Sequence, residues 1–217
     1  MQRDRLTRHF LKHNADTMSD AELLELLLRF AGENAAQRTQ ALFDRFPSVA
    51  TLFEAELQEL LAVEGMDEDA AMLVRLLPEL QRRYFLSRVP GDQRLLDAAD
   101  YGNYLLPYYL GAKNEMVYLL CMDALGKPLS CRKIGEGSAN SANVPPRRMV
   151  QEALAVNASM VVLAHNHPCA VALPSRQDVE LTMRLKTALE AMNIELRDHM
   201  IIADDDFVSM RESGYFC

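Results

Sequence analysis

Part-way along this chain the spacing of apolar residues changes from that of helices to that of buried strands. Up to about Phe85 the period is helical: Leu23, Leu24, Leu26, Leu27, Leu28 and Phe30 form one broad apolar face. Beyond about residue 100, Met116-Val117-Tyr118-Leu119-Leu120-Cys121-Met122 is a continuous apolar run of strand length, and Met160 to Leu163 is another. A run of 4–8 apolar residues suits a strand covered on both faces, not the one-sided stripe of a surface helix. Strands alternating with helices indicate an α/β (α+β) domain, here preceded by a helical region. The expected organisation is a helical domain over 1–88, a linker over 89–100 containing Val89-Pro90-Gly91, and a second domain over 101–217.

Local signals place the elements. Ser19-Asp20-Ala21-Glu22 has capping-box spacing and opens a helix. Gln37 to Phe43 suggests a second helix. A third is expected from Pro47-Ser48 through Leu52, Phe53 and Leu57 to Leu60-Leu61, broken by Gly65, and a fourth from Asp67 to Arg83 with Pro78 as a possible kink. After the turn-rich Asp123 to Pro128, Leu129 to Ile134 can return as the partner of the Met116 strand. Pro145-Pro146 precedes a helix through Val156, Ser175 to Met192 is an amphipathic helix, and Ile194 to Ala203 and Phe207 to Ser209 read as strands.

The bulk properties narrow the function. The net charge of −8 repels phosphates, so nucleic-acid binding has no support from the overall field. Arg82-Arg83 and Arg147-Arg148 are short and read as solvated helix ends. No apolar run approaches the roughly 18 residues of a membrane span, and the charged start MQRDRLTRHF has no apolar leader core, so a cytoplasmic protein is expected. The four cysteines form no C-x-x-C pair, which excludes a cysteine zinc knuckle. Cys121 and Cys131 flank the expected hairpin and could face each other, although reduced thiols are the default.

The chemistry concentrates in LAHNHPCAVALPSRQD, residues 163–178. If the Met160 strand continues, His165 and His167 project to one face and Asn166 to the other. Ser175-Arg176-Gln177-Asp178 has helix-start spacing, which puts Asp178 in a first turn that a returning loop can bring to the histidines. Two imidazoles and one carboxylate suit Zn2+, and three protein ligands with an open fourth position describe a catalytic ion rather than a structural one. The competing reading makes Asp178 a helix-terminus carboxylate capped by Ser175, and the histidines ordinary loop residues.

H-x-H, seven residues, Ser, two residues, Asp resembles the JAMM (JAB/MPN) metalloprotease signature. LAHNHP, PSRQDVELTMRLK, RDHMII and VSMRESG, with MSDAELLELLLR and ELLAVEGMDEDAA upstream, resemble the bacterial RadC family over nearly the whole chain. The resemblance implies an N-terminal helix-hairpin-helix region and a C-terminal MPN/JAB-type mixed sheet of cytidine-deaminase-like fold. It implies a zinc-dependent hydrolase of peptide or isopeptide bonds, with His165, His167 and Asp178 as metal ligands. It also implies Glu115 as general base and Ser175 as the hydroxyl that stabilises the tetrahedral intermediate. Glu136 and Glu152 are the rival carboxylates for Glu115. Asp198 and His199 read either as groups orienting a ligand or, as we favour from sequence, as an ordinary polar pair at a strand start.

Two departures matter. The family pattern HNHPSG stands here as His165-Asn166-His167-Pro168-Cys169-Ala170, which bears on the loop that carries Asp178. The G-h-G turn of DNA-binding hairpins stands here as Gly65-Met66-Asp67 among Glu64, Glu68 and Asp69, which opposes phosphate binding. The family's DNA-repair association therefore gains little from these residues. The alternative to a hydrolase is a non-catalytic DNA-associated or protein-interaction scaffold.

Overall fold

The computed structural model describes residues 5–13, 15–87, 93–137, 144–168, 171–203 and 206–217. The departure at Cys169-Ala170 and residues 89–92 of the expected linker lie outside them. The chain divides into two compact units, residues 1–81 and 82–217.

The first unit is helical: α1 (Arg5–His13), α2 (Asp20–Leu28), α3 (Ala35–Arg45), α4 (Val49–Phe53), α5 (Leu57–Leu61) and the start of α6 (Glu68–Ser87), with a 3-10 turn at Arg29–Ala31. Ser19 and Glu22 form the expected capping box: Ser19 Oγ accepts the Glu22 N–H and the Glu22 carboxylate accepts the Ser19 N–H. The helix expected from Ser48 to Leu61 is two helices. The chain breaks at Glu54–Glu56 because Ala55 turns inward to 3% exposure, its carbonyl takes the Arg75 guanidinium at 3.0 Å, and Glu59 caps a new start at Glu56. The core is Leu24, Leu28, Leu42, Leu52, Leu60 and Val74 with their neighbours. Between α5 and α6 Gly65 adopts φ +79°, and Asp67 caps α6 by accepting the Ala70 N–H at 2.9 Å. α6 runs through Pro78 without interruption.

The second unit is a mixed five-stranded sheet with helices on both faces. Its strands are β1 (Glu115–Met122), β2 (Pro128–Gly137), β3 (Met160–Asn166), β4 (Glu195–Ala203) and β5 (Asp206–Ser209), in the order β2-β1-β3-β4-β5. β3 and β4 run parallel and the other neighbours antiparallel. α8 (Pro146–Ala155) and α9 (Arg176–Glu190) supply Met149, Ala153, Leu181, Leu185 and Leu189 to one face of the sheet. Leu95, α7 (Ala98–Leu105) and Tyr109 cover the other. Leu95 is 1% exposed and its N–H donates to the Gly126 carbonyl at 2.9 Å, so the fold is under way before α7 begins.

Strand alternation decides which side chains meet under the helices. On β3, Val161 and Leu163 join the α8/α9 core, and Val162 and Ala164 join the opposite one. His165 therefore lands under α9. The same alternation separates the hairpin cysteines. Cys131 pairs with Leu120, not Cys121, and the two thiols pack on opposite faces of the sheet. Both are free, and burial pushes the Cys131 thiol up to about 12.

Candidate metal centre

The H-x-H pair sits where β3 ends. His165, in register with Val117 of β1 and Ile201 of β4, is 0% exposed. His167 follows the last strand residue, and its N–H donates to the Ile202 carbonyl at 2.8 Å, extending the parallel pairing by one step. The two imidazoles point their Nε2 atoms at each other, 2.9 Å apart.

Asp178 arrives from the first turn of α9. Ser175 Oγ accepts the Asp178 N–H at 3.2 Å, and Asp178 Oδ2 accepts the Ser175 N–H at 2.7 Å. This is the helix-cap reading of Ser175 and Asp178, and it holds together with the other one. Asp178 Oδ1 lies 3.0 Å from His165 Nε2, and Oδ2 lies 3.5 Å from His167 Nε2. The cap aims the carboxylate. Among the described residues, His165, His167 and Asp178 are the group of histidine, cysteine and acidic side chains that converges closely enough to hold a metal ion.

The electrostatics arise from this crowding. Burial pushes the Asp178 carboxyl up, but hydrogen bonds from His165 and His167 outweigh it and hold the group well below its ordinary range. The hydrogen bond to Asp178 raises His167 above the usual histidine value against burial, with a smaller contribution from the charge of Glu115. His167 Nδ1 faces the Val171 carbonyl at 3.4 Å, a contact in which the nitrogen donates.

Glu115 is the first residue of β1. Its Oε2 is buried and has no hydrogen-bond partner, a costly state for a carboxylate oxygen. Its rivals are engaged elsewhere: Glu136 pairs with Lys133, and Glu152 lies 3.4 Å from Arg132. Asn166 points away from the histidines, as alternation requires, and grips the main chain on both sides of Glu115. Its Oδ1 accepts the Met116 N–H at 2.7 Å and its Nδ2 donates to the Asn114 carbonyl at 3.1 Å.

The expectation that Asp198 and His199 form an ordinary polar pair fails for His199. Asp198 is structural: it accepts from the His199 N–H, the Ser209 hydroxyl and the Arg211 N–H. His199 instead meets His165, Nε2 to Nδ1 at 2.9 Å. Burial, then the neighbouring His165 ring, holds His199 well below the usual value. Thr182, overlooked in the sequence, lies beyond it at 2.6 Å. The available signals were the i+4 step from Asp178 to Thr182 and the neighbouring register of β4.

A mixed sheet with a His-His-Asp cluster at the end of a central strand defines a JAB-type domain, and comparison with known proteins agrees. A family model described as a RadC-like JAB domain matches residues 95–215, and one described as UPF0758 N-terminal matches residues 1–72. The chain belongs to this RadC-like JAB family. A UPF0758 protein of Stutzerimonas stutzeri (strain A1501) is 34% identical over 214 residues, covering 98% of this chain and 96% of that protein. A UPF0758 protein of Methylibium petroleiphilum is 35% identical over 199 residues, covering 91% and 90%. One from Clostridium botulinum (strain Eklund 17B / Type B) is 28% identical over 216 residues, covering 98% and 94%. Among the described residues no helix is long and apolar enough to cross a membrane.

Proposed function

We propose that this chain is a metal-dependent hydrolase of the JAMM type, a zinc metallopeptidase or isopeptidase acting on a peptide or protein substrate. The observation that carries the reading is the donor set His165, His167 and Asp178 together with the buried, unpartnered oxygen of Glu115. The donor set fits the ion. Zinc–ligand bonds of about 2.0–2.1 Å in a tetrahedron imply donor–donor edges of roughly 3.3 Å. The closest contacts between these side chains are 2.9, 3.0 and 3.5 Å, the last two to different Asp178 oxygens, and one donor atom from each residue lies within 4.8 Å of the other two. Neighbouring first-row ions accept the same donors, and zinc is the ion we assign to them.

When bound, such an ion supplies Lewis acidity, polarising a carbonyl and bringing the pKa of a coordinated water to about 7. The protein's own residues do the rest. Glu115 takes a proton from the attacking water and returns it to the leaving amine, which requires a carboxylate oxygen with no prior partner. Asn166 holds the main chain that carries Glu115. Ser175 accepts a hydrogen bond from the Asp178 N–H, so its own proton remains to be donated to a developing oxyanion.

The test is metal content by mass spectrometry of the untagged protein grown with zinc, followed by hydrolysis of linear and isopeptide-linked peptides. About one zinc per chain is expected in the wild type and almost none in His167→Ala. Glu115→Gln keeps the zinc and loses roughly 10²- to 10⁴-fold in hydrolysis. A folded wild type that holds no metal sinks the reading. A metal-loaded protein whose function is indifferent to Glu115→Gln makes the chain a scaffold.

A further inference from the structure

Behind the donor set lie two polar side chains that the proposed chemistry does not use. His199 from β4 is 0% exposed and Thr182 from α9 is 1% exposed. They continue from His165 in single file. His165 Nδ1 meets His199 Nε2 at 2.9 Å, His199 Nδ1 meets Thr182 Oγ1 at 2.6 Å, and the Thr182 hydroxyl donates to the Asp178 main-chain carbonyl at 2.6 Å. The Asp178 side chain returns to His165 Nε2 at 3.0 Å. The contacts close a ring through two of the three metal donors.

Counting protons gives the ring a direction. A carbonyl only accepts, so Thr182 directs its one hydroxyl proton to Asp178 and accepts from His199 Nδ1–H. His199, with one ring proton, then offers its Nε2 lone pair to His165 Nδ1–H. With a cation between the donors, His165 is left to present its Nε2 lone pair; with none there, the Asp178 carboxylate at 3.0 Å takes an Nε2–H from the same ring. Run the other way, Thr182 donates to His199, His199 Nε2–H donates to His165, and the His165 proton sits on Nε2, where it blocks a cation. The reverse direction also takes the hydroxyl donor away from the Asp178 carbonyl. The remaining neighbour of Thr182 Oγ1, the Met210 sulfur at 3.7 Å, is a weak acceptor.

We propose that His199 and Thr182 are positioning residues that fix His165 in its Nδ1–H tautomer and thereby set the metal affinity of the site. This rests on the metal-hydrolase reading of the chain. A histidine in this place differs from a carboxylate or carbonyl partner because it can donate as well as accept, so Thr182 has to choose for it.

The experiment measures zinc affinity by competition with a chromophoric chelator for wild type, Thr182→Val and Thr182→Ser, with thermal unfolding as the check on folding. Thr182→Val keeps the shape and removes the hydroxyl. It is expected to weaken zinc binding about 10- to 100-fold, while Thr182→Ser stays near wild type. The zinc-loaded wild type, labelled with ¹⁵N in its histidines, gives a readout that needs no variant: a nitrogen–nitrogen coupling across the hydrogen bond, with the proton on His165 Nδ1. Equal zinc affinity in Thr182→Val and wild type overturns the inference, as does a zinc-loaded wild type whose shared proton belongs to His199 Nε2. Either result leaves the metal site standing, whereas a wild type that takes up no zinc removes both.

Discussion

The two units bury polar groups in opposite ways. Among the described residues, the helical unit buries one polar side chain, Thr39, and the sheet unit buries seven: His165, Asn166, Asp178, Thr182, Asp198, His199 and Ser209. In the helical unit the other polar side chains serve as caps and ion pairs, among them Arg38, its side chain 11% exposed, which meets Asp67 at 2.6 Å. In the sheet unit they are inside, where an unpaired polar group is costly, and each of the seven has a partner. The helical unit is stabilised by apolar packing and caps. In the sheet unit the groups that would bind metal are also part of the structure.

The largest expected effect tests whether both cores nonetheless rest on apolar packing. Leu42 and Leu163 are both 0% exposed, one in each unit. Leu42→Ala and Leu163→Ala should each cost about 2–5 kcal/mol in denaturant unfolding. Only Leu163→Ala should also lower zinc affinity, because Leu163 precedes His165 on the same face and pairs in register with His199. Equal zinc affinity in the two variants would mean that the site does not feel its own core.

The next comparison sets one buried polar residue against another. Asp198→Ala strips the acceptor from two main-chain N–H groups and the Ser209 hydroxyl, and should cost at least about 3 kcal/mol. Thr39 is the reverse case: its buried Oγ1 has no hydrogen-bond partner. Thr39→Val conserves shape and should be neutral or stabilise by about 1 kcal/mol. If Thr39→Val destabilises as much as Asp198→Ala, the contrast between the units is false.

Legibility in the sequence divides along the same line. The helical period and the Ser19 box are local signals, and they placed α2, α3 and α6. The break at Ala55 was not legible, because it depends on Arg75 reaching back across twenty positions to a carbonyl. In the sheet unit, His165, His167 and Asp178 could be read because two local rules, strand alternation and a capping box, bring them together. Ser175 could be read for its cap, and Glu115 only through the family resemblance, since nothing local marks a lone carboxylate at a strand start. His199 was underrated because its partner is a parallel neighbour 34 residues away, joined through a register that no dipeptide encodes.

The smallest expected effect concerns the turn whose acidic character departs from the DNA-binding hairpin pattern. Asp67 stands where that pattern has its second glycine, and its carboxylate accepts the Ala70 N–H and pairs with Arg38. The hydrogen bond from Ala70 comes first and the one from Arg38 second in holding its carboxyl below the ordinary aspartate value. A carboxyl depressed in the folded state stabilises fully above its unfolded pKa, and that stabilisation is lost as the pH falls through the folded value. Asp67→Asn should therefore melt slightly below wild type at about pH 7, and the two curves should converge in acid below about pH 4. Hydrogen exchange at the Ala70 amide should report the same loss locally. A difference that persists unchanged in acid would mean that the charge of Asp67 contributes nothing to it and that the substitution acts through the shape and hydrogen bonding of the side chain.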